Sequence, residues 1–142
     1  MQKYLNKVSG PLLDRIDLHV EVTPVAFSEL TGQQQGETSA VIRERVINAR
    51  AIQAQRYHSA PGLYANAQMS SKQLREICVI DNVGETLLRR AMEKLNLSAR
   101  AYDRILKVSR TIADLAGSDD IRAEHLAEAI HYRSLDREGW AG

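Results

Sequence analysis

The stretch Ser98 to Gly117, SARAYDRILKVSRTIADLAG, constrains this chain more than any other, because it reads as one long amphipathic helix. Ser98 is placed to cap its N-terminus and Gly117 to end it in a left-handed turn, with Asp119 and Asp120 following in a polar loop. At 100° per residue, Ala101, Ile105, Val108, Ile112 and Leu115 share one face, while Arg100, Arg104, Lys107 and Arg110 share the opposite one. The first face is expected to pack. The second, relieved by Asp103 and Asp114, is expected to be a solvated surface. Arg100 stands apart because it falls in the first turn, where free backbone N–H groups and the helix dipole favour an anion.

Other helices follow from the same periodicity. Val41, Ile42, Val46, Ala49 and Ile52 make an apolar stripe in a helix from Ser39 to about Ser59, capped by Thr38 or Ser39 and closed by Pro61 and Gly62. Ser70 or Ser71 caps a short helix carrying Leu74, Ile77 and Cys78. Asp81 caps another, to about Leu95, whose inner face is Val83, Leu87, Leu88, Ala91 and Leu95. A last helix runs from Arg122 to about Arg133, with Leu126, Ala129 and Ile130 apolar and His125 at the edge of the packed face. Four or five helices joined by short loops are stable only if their stripes bury one another, which predicts a mainly α fold, a small helical bundle.

One segment breaks that pattern. Residues 3–15 suggest a short helix or turn interrupted by Gly10 and Pro11, after which Ile16, Leu18, Val20 and Val22 alternate with Asp17, His19 and Glu21. Such alternation predicts a strand buried on one face. The chain offers it no second strand, so its sheet is expected elsewhere. The organisation that follows is a core remnant over 1–25, a linker over 26–37, a helical domain over 38–135 and a flexible tail over 136–142.

Composition narrows function mainly by exclusion. The formal charge of +1 points to neither nucleic acid nor membrane. No stretch approaches the roughly 20 apolar residues that span a bilayer, and no signal-peptide pattern opens the chain, so no membrane partner and a cytoplasmic location are expected. Cys78 is the only cysteine, which excludes an internal disulfide, and the four histidines show no metal-ligand spacing, so no metal site is expected. GxxxxGK[ST], the Gly-rich dinucleotide turn and GxSxG are all absent. The fragment alone is not expected to be an enzyme. What remains is two arginines at element ends, Arg15 and Arg100, each able to present a fixed fork of donors to phosphate, and each equally able to serve a structural ion pair.

YLNKVSGPLLDRIDLHVEV, LSARAYDRILKVSRTIADLAG and IRAEHLAEAIHYR, taken in that order, resemble the C-terminal part of bacterial magnesium-chelatase-like AAA+ ATPases, above all the competence-associated ComM type. The resemblance covers nearly the whole chain. It implies that the helices form the lid of an ATPase whose phosphate loop and acidic Mg²⁺-binding segment lie upstream. Arg15 matches the position of an arginine finger acting in trans, and Arg100 that of the second sensor arginine on the nucleotide. ATP and Mg²⁺ are then ligands of the parent protein, with none expected on the fragment. The implied partners are its own N-terminal ATPase core, neighbouring protomers of a homo-oligomeric ring and DNA, in recombination or competence. The alternative is an independent helical module that binds nucleic acid or protein and has no ATPase role. The strand at 16–22 separates the two: an independent module should pair it within the chain.

Overall fold

A computed structural model describes Leu12, residues 15–20, Val22, Pro24 and residues 36–133. The expected turn at 3–15 apart from Leu12 and Arg15, most of the linker over 26–37, and the tail over 136–142 lie outside the described residues. Among the described residues, five helices form a bundle, α1 (Ser39–Arg56), α2 (Ser71–Ile77), α3 (Asn82–Lys94), α4 (Ala99–Leu115) and α5 (Ala123–His131), with a 3₁₀ turn at Asn66–Gln68.

The caps stand where polar side chains precede apolar periodicity. Thr38, Ser70, Asp81 and Ser98 each accept a hydrogen bond from the backbone three residues on, at 3.5, 3.4, 2.7 and 3.2 Å. Gln73 returns the contact, accepting from the Ser70 N–H and closing a capping box. At the start of α5 the His125 ring takes this role, its Nδ1 accepting from the Arg122 N–H at 3.1 Å. His125 is buried, not at the edge of the packed face. Gly117 adopts φ +64 and ends α4 in the expected left-handed turn.

The core is one cluster that includes Leu63, Met69, Leu74, Cys78, Leu88, Ile105, Leu106, Ile121 and Leu126. A single parallel bridge between Ile80 and Ile121 sets the residues before α3 and α5 side by side. The first turns of these helices then touch so closely that a Cβ on Gly84 would lie 2.7 Å from Leu126 Cδ1. This is why glycine occupies a helix interior despite its entropic cost.

Several expectations are corrected. Among the described residues of 16–22 there is no strand, and the apolar row is not the buried side: His19 is buried, whereas Ile16, Leu18, Val20 and Val22 are exposed, Val22 by 79%. No sheet among the described residues covers the apolar row. Backbone contacts instead press the other side onto the bundle, with the His19 N–H donating to the Tyr132 carbonyl at 2.8 Å. In α1, which ends at Arg56 rather than Ser59, only Ala49 and Gln53 are buried; Val41, Ile42 and Val46 are exposed, and the buried contacts of the helix, at Ala49, Gln53 and Arg56, lie in its C-terminal half. Val83, at 65% exposure, and Leu115 likewise lie outside the core.

The largest correction concerns α4, because Arg110 and Asp114 are buried, not solvated. The Asp114 carboxylate accepts a two-pronged contact from Arg56, at 2.7 and 2.5 Å, together with Asn66 Nδ2 at 2.8 Å and Arg110 Nε at 3.1 Å. Arg110 spends its other nitrogens on the carbonyls of Asp119 and Ser118, at 2.6 and 2.5 Å. Asn66 Oδ1 in turn accepts from Tyr57 at 2.7 Å and Arg56 at 3.0 Å. One carboxylate therefore joins α1, the 3₁₀ turn, α4 and the α4–α5 loop.

Burial by itself pushes the Asp114 carboxyl up, but hydrogen bonds from Arg56 and Asn66 and the charges of Arg56 and Arg110 outweigh it and hold the group below the usual carboxylate range. The hydrogen bond to Asp114 likewise raises Arg56. A depressed carboxylate contributes stability that is complete above the unfolded value of about 3.9 and is lost as pH falls through the folded value. Asp114→Asn is expected to cost roughly 3–5 kcal/mol at neutral pH, since the buried Arg110 and the half-buried Arg56 lose their counter-charge. Urea titrations at pH 7 and pH 3 check this, the gap between wild type and variant narrowing at the lower pH. Cys78 gives a second expectation. Burial pushes its thiol up to about 11, so thiol labelling of the native chain at pH 8 should run on the order of a hundredfold slower than in urea.

Candidate functional site

Arg100 occupies the first turn of α4, two residues after the Ser98 cap, and its side chain is exposed. The N-terminal turns of α4 are pinned underneath by Ala101, Ile105 and Leu106 in the core, so the outward face is rigidly presented. Arg100 forms the ridge between two open clefts. One is lined by Asp17, Ala67, Asp103, Arg104 and Lys107. The other runs over Leu74, Arg75, Cys78, Tyr102 and Leu106.

The first cleft is the charged one. Three cations, Arg100, Arg104 and Lys107, face two carboxylates, Asp17 and Asp103, leaving a net +1 beside a helix N-terminus. The cations are not equivalent. Arg104 is paired with the Asp17 carboxylate, and Lys107 Nζ donates to the Ala67 carbonyl at 3.1 Å. Arg100 is the member whose setting, an exposed fork of donors at a helix entrance, best suits an anion from outside.

Arg15 lies elsewhere. It is exposed in a turn whose N–H donates to the Leu12 carbonyl at 3.0 Å, and it lines neither cleft. The structure therefore brings the two elements together without placing Arg15 in the Arg100 site of the same chain. Arg104 and Lys107, expected to be plain surface, are cleft-lining and partnered. Their spacing of four and seven residues from Arg100 carries that information in the sequence, because such residues share a helix face. Asp17 carries no such signal, since its partner lies 87 residues away. Among the described residues, no group of three or more His, Cys, Asp or Glu side chains is placed to hold a metal ion. No helix among them is long and apolar enough to cross a membrane.

Comparison with known proteins places this geometry in a family. Residues 36–133 match the family described as magnesium chelatase, subunit ChlI C-terminal, and residues 1–30 match magnesium chelatase, subunit ChlI. The competence protein ComM of Haemophilus influenzae is 46% identical over 139 residues, covering 96% of this chain and 26% of the relative. The uncharacterized protein YifB of Escherichia coli is 40% identical over 138 residues, 95% of the chain and 26% of the relative. The uncharacterized protein Rv2897c of Mycobacterium tuberculosis is 36% identical over 132 residues, 93% of the chain and 26% of the relative. The chain thus spans about a quarter of the length of the curated relatives it matches. With the C-terminal family model covering the five helices described above, this chain belongs to the magnesium chelatase subunit ChlI C-terminal family.

Proposed function

We propose that this chain forms the lid of an AAA+ ATPase and completes its nucleotide sites with two arginines. Arg100 contacts the phosphates of ATP bound between the lid and the protein's own N-terminal core. Arg15 reaches the nucleotide of the neighbouring protomer in a homo-oligomeric ring. ATP and Mg²⁺ are held by the core, and no step on this chain passes through the metal. The role of the chain is to stabilise phosphate charge and to move when that charge changes. The motion works on DNA in the cytoplasm. That substrate comes from the resemblance to competence-associated ATPases, and the relative named competence protein ComM is in keeping with it.

The observation that carries this proposal is Arg100, exposed at the entrance of a helix anchored in the core and flanked by a cleft of net positive charge. A second feature favours a lid over an independent binding module. An independent module should pair the apolar row at 16–22 within the chain, yet Leu18, Val20 and Val22 face outward, as does the Val41–Ile47 part of α1. Apolar rows of this kind suit a surface meant for a larger body. Arg15 outside the cleft of its own chain also suits a finger acting in trans.

Steady-state kinetics of the full-length ATPase test the proposal. Arg15→Ala is expected to lower turnover on the order of a thousandfold while ATP affinity and assembly persist. Arg100→Ala is expected to weaken ATP binding as well as turnover. Because the two act on different sides of one interface, mixing Arg15→Ala protomers with Arg100→Ala protomers should restore part of the activity. Unchanged turnover in a folded, assembled Arg15→Ala protein makes that residue a structural ion-pair partner. For the chain alone, ATP binding at micromolar concentration contradicts the proposal, and DNA affinity that falls steeply with salt favours a binding module instead.

A further inference from the structure

Segment 16–19 is fastened to the bundle by contacts at Ile16, Asp17 and His19. The Asp17 carboxylate accepts from the Arg104 guanidinium, which lies one turn beyond Arg100 on the same helix face. Arg133 Nη1 donates to the Ile16 carbonyl, and the His19 N–H donates to the Tyr132 carbonyl at 2.8 Å. Arg133 and His19 are both buried. Four consecutive residues are thus held at three points, one on α4 and two just after α5.

The link to α4 differs in kind from the other two. The contacts at Tyr132 and Arg133 hold the segment to the end of the bundle, whereas Asp17 joins it to the side chain next above Arg100. Two residues of chain, roughly 7 Å when extended, separate Arg15 from Asp17, and one helical turn, about 6 Å of rise, separates Arg104 from Arg100. The ion pair closes a short path between the two arginines.

We propose that Asp17 and Arg104 are positioning residues that couple Arg15 to α4. A displacement of Arg100, when the phosphates it contacts change, is then carried through the pair to the Arg15 of the same protomer, and so to the next site of the ring. This rests on the assignment of Arg15 and Arg100 to nucleotide sites. Both partners are partly exposed, with side-chain exposures of 49% for Asp17 and 29% for Arg104, so the pair contributes little to stability and its variants are expected to fold. Loss of the pair should impair turnover and its cooperativity.

The test is charge reversal in the full-length ATPase. Asp17→Arg and Arg104→Asp are each expected to lower kcat about tenfold although they shift the charge of the Arg100 cleft, and with it KM for ATP, in opposite directions, and the double variant, which restores that charge, should recover most of the loss in kcat. Hydrogen exchange at the His19 amide, protected in every variant, shows that the segment remains docked and that the loss is one of coupling. The milder Asp17→Asn, which keeps the side-chain shape, should lower kcat in the same direction. Single variants with unchanged kcat, or a double variant as impaired as the singles, overturn the coupling. Failure of the nucleotide assignment is distinguishable, because Arg15→Ala and Arg100→Ala would then also leave turnover unchanged.

Discussion

The bundle depends on one buried carboxylate. Asp114 sits in the core with its side chain fully removed from solvent, where an isolated charge would be untenable. It is made tolerable by four nitrogens from Arg56, Asn66 and Arg110, and the last of these passes its remaining donors to the α4–α5 loop. The geometry matters as much as the energy. A two-pronged guanidinium contact fixes both distance and plane, so the C-terminal end of α1 is oriented as well as attached. An apolar pair of equal volume could match the stability but not the orientation. Arg100, at the far end of α4, is aimed by where the rest of that helix lies.

Much of the bundle is legible in the sequence because its caps are local. Ser70, Asp81, Ser98 and Gly117 act on backbone within a few residues, and each stands where the local pattern places it. The buried positions Leu74, Cys78, Leu88, Ile105 and Leu126 follow from apolar spacing for the same reason. The failures are all long-range. Arg110 and Asp114 share a helix face with charged neighbours and look solvated until Arg56, 58 residues from Asp114, is brought to them. The outer half of α1 and the row from Ile16 to Val22 carry correct apolar spacing for burial, but spacing does not say which surface will bury them.

The candidate site divides along the same line. Arg100 is visible as a cation misplaced at a helix entrance, a local anomaly. Its cleft is not visible, because Ala67 and Asp17 arrive from loops far away in the chain. Arg15 has no local anomaly strong enough to separate it from an ion-pair residue, and its proposed assignment rests on resemblance to a family. Resemblance also left Arg104 and Lys107 unassigned, and their place in the cleft is a finding of the three-dimensional arrangement alone.

The Arg56 to Asp114 contact has a consequence for how the chain assembles. Helices α3, α4 and α5 are near neighbours in sequence and meet through short loops, whereas α1 reaches α4 by closing a loop of 58 residues. Closing it costs chain entropy before any of the buried polar contacts can form. The C-terminal hairpin of α4 and α5, with α3 against it through Gly84 and Leu126, is therefore the natural nucleus, and α1 docks last. The network that gives the bundle its finished shape is then a late-forming clasp, whose contacts set how quickly the structure opens more than how quickly it forms.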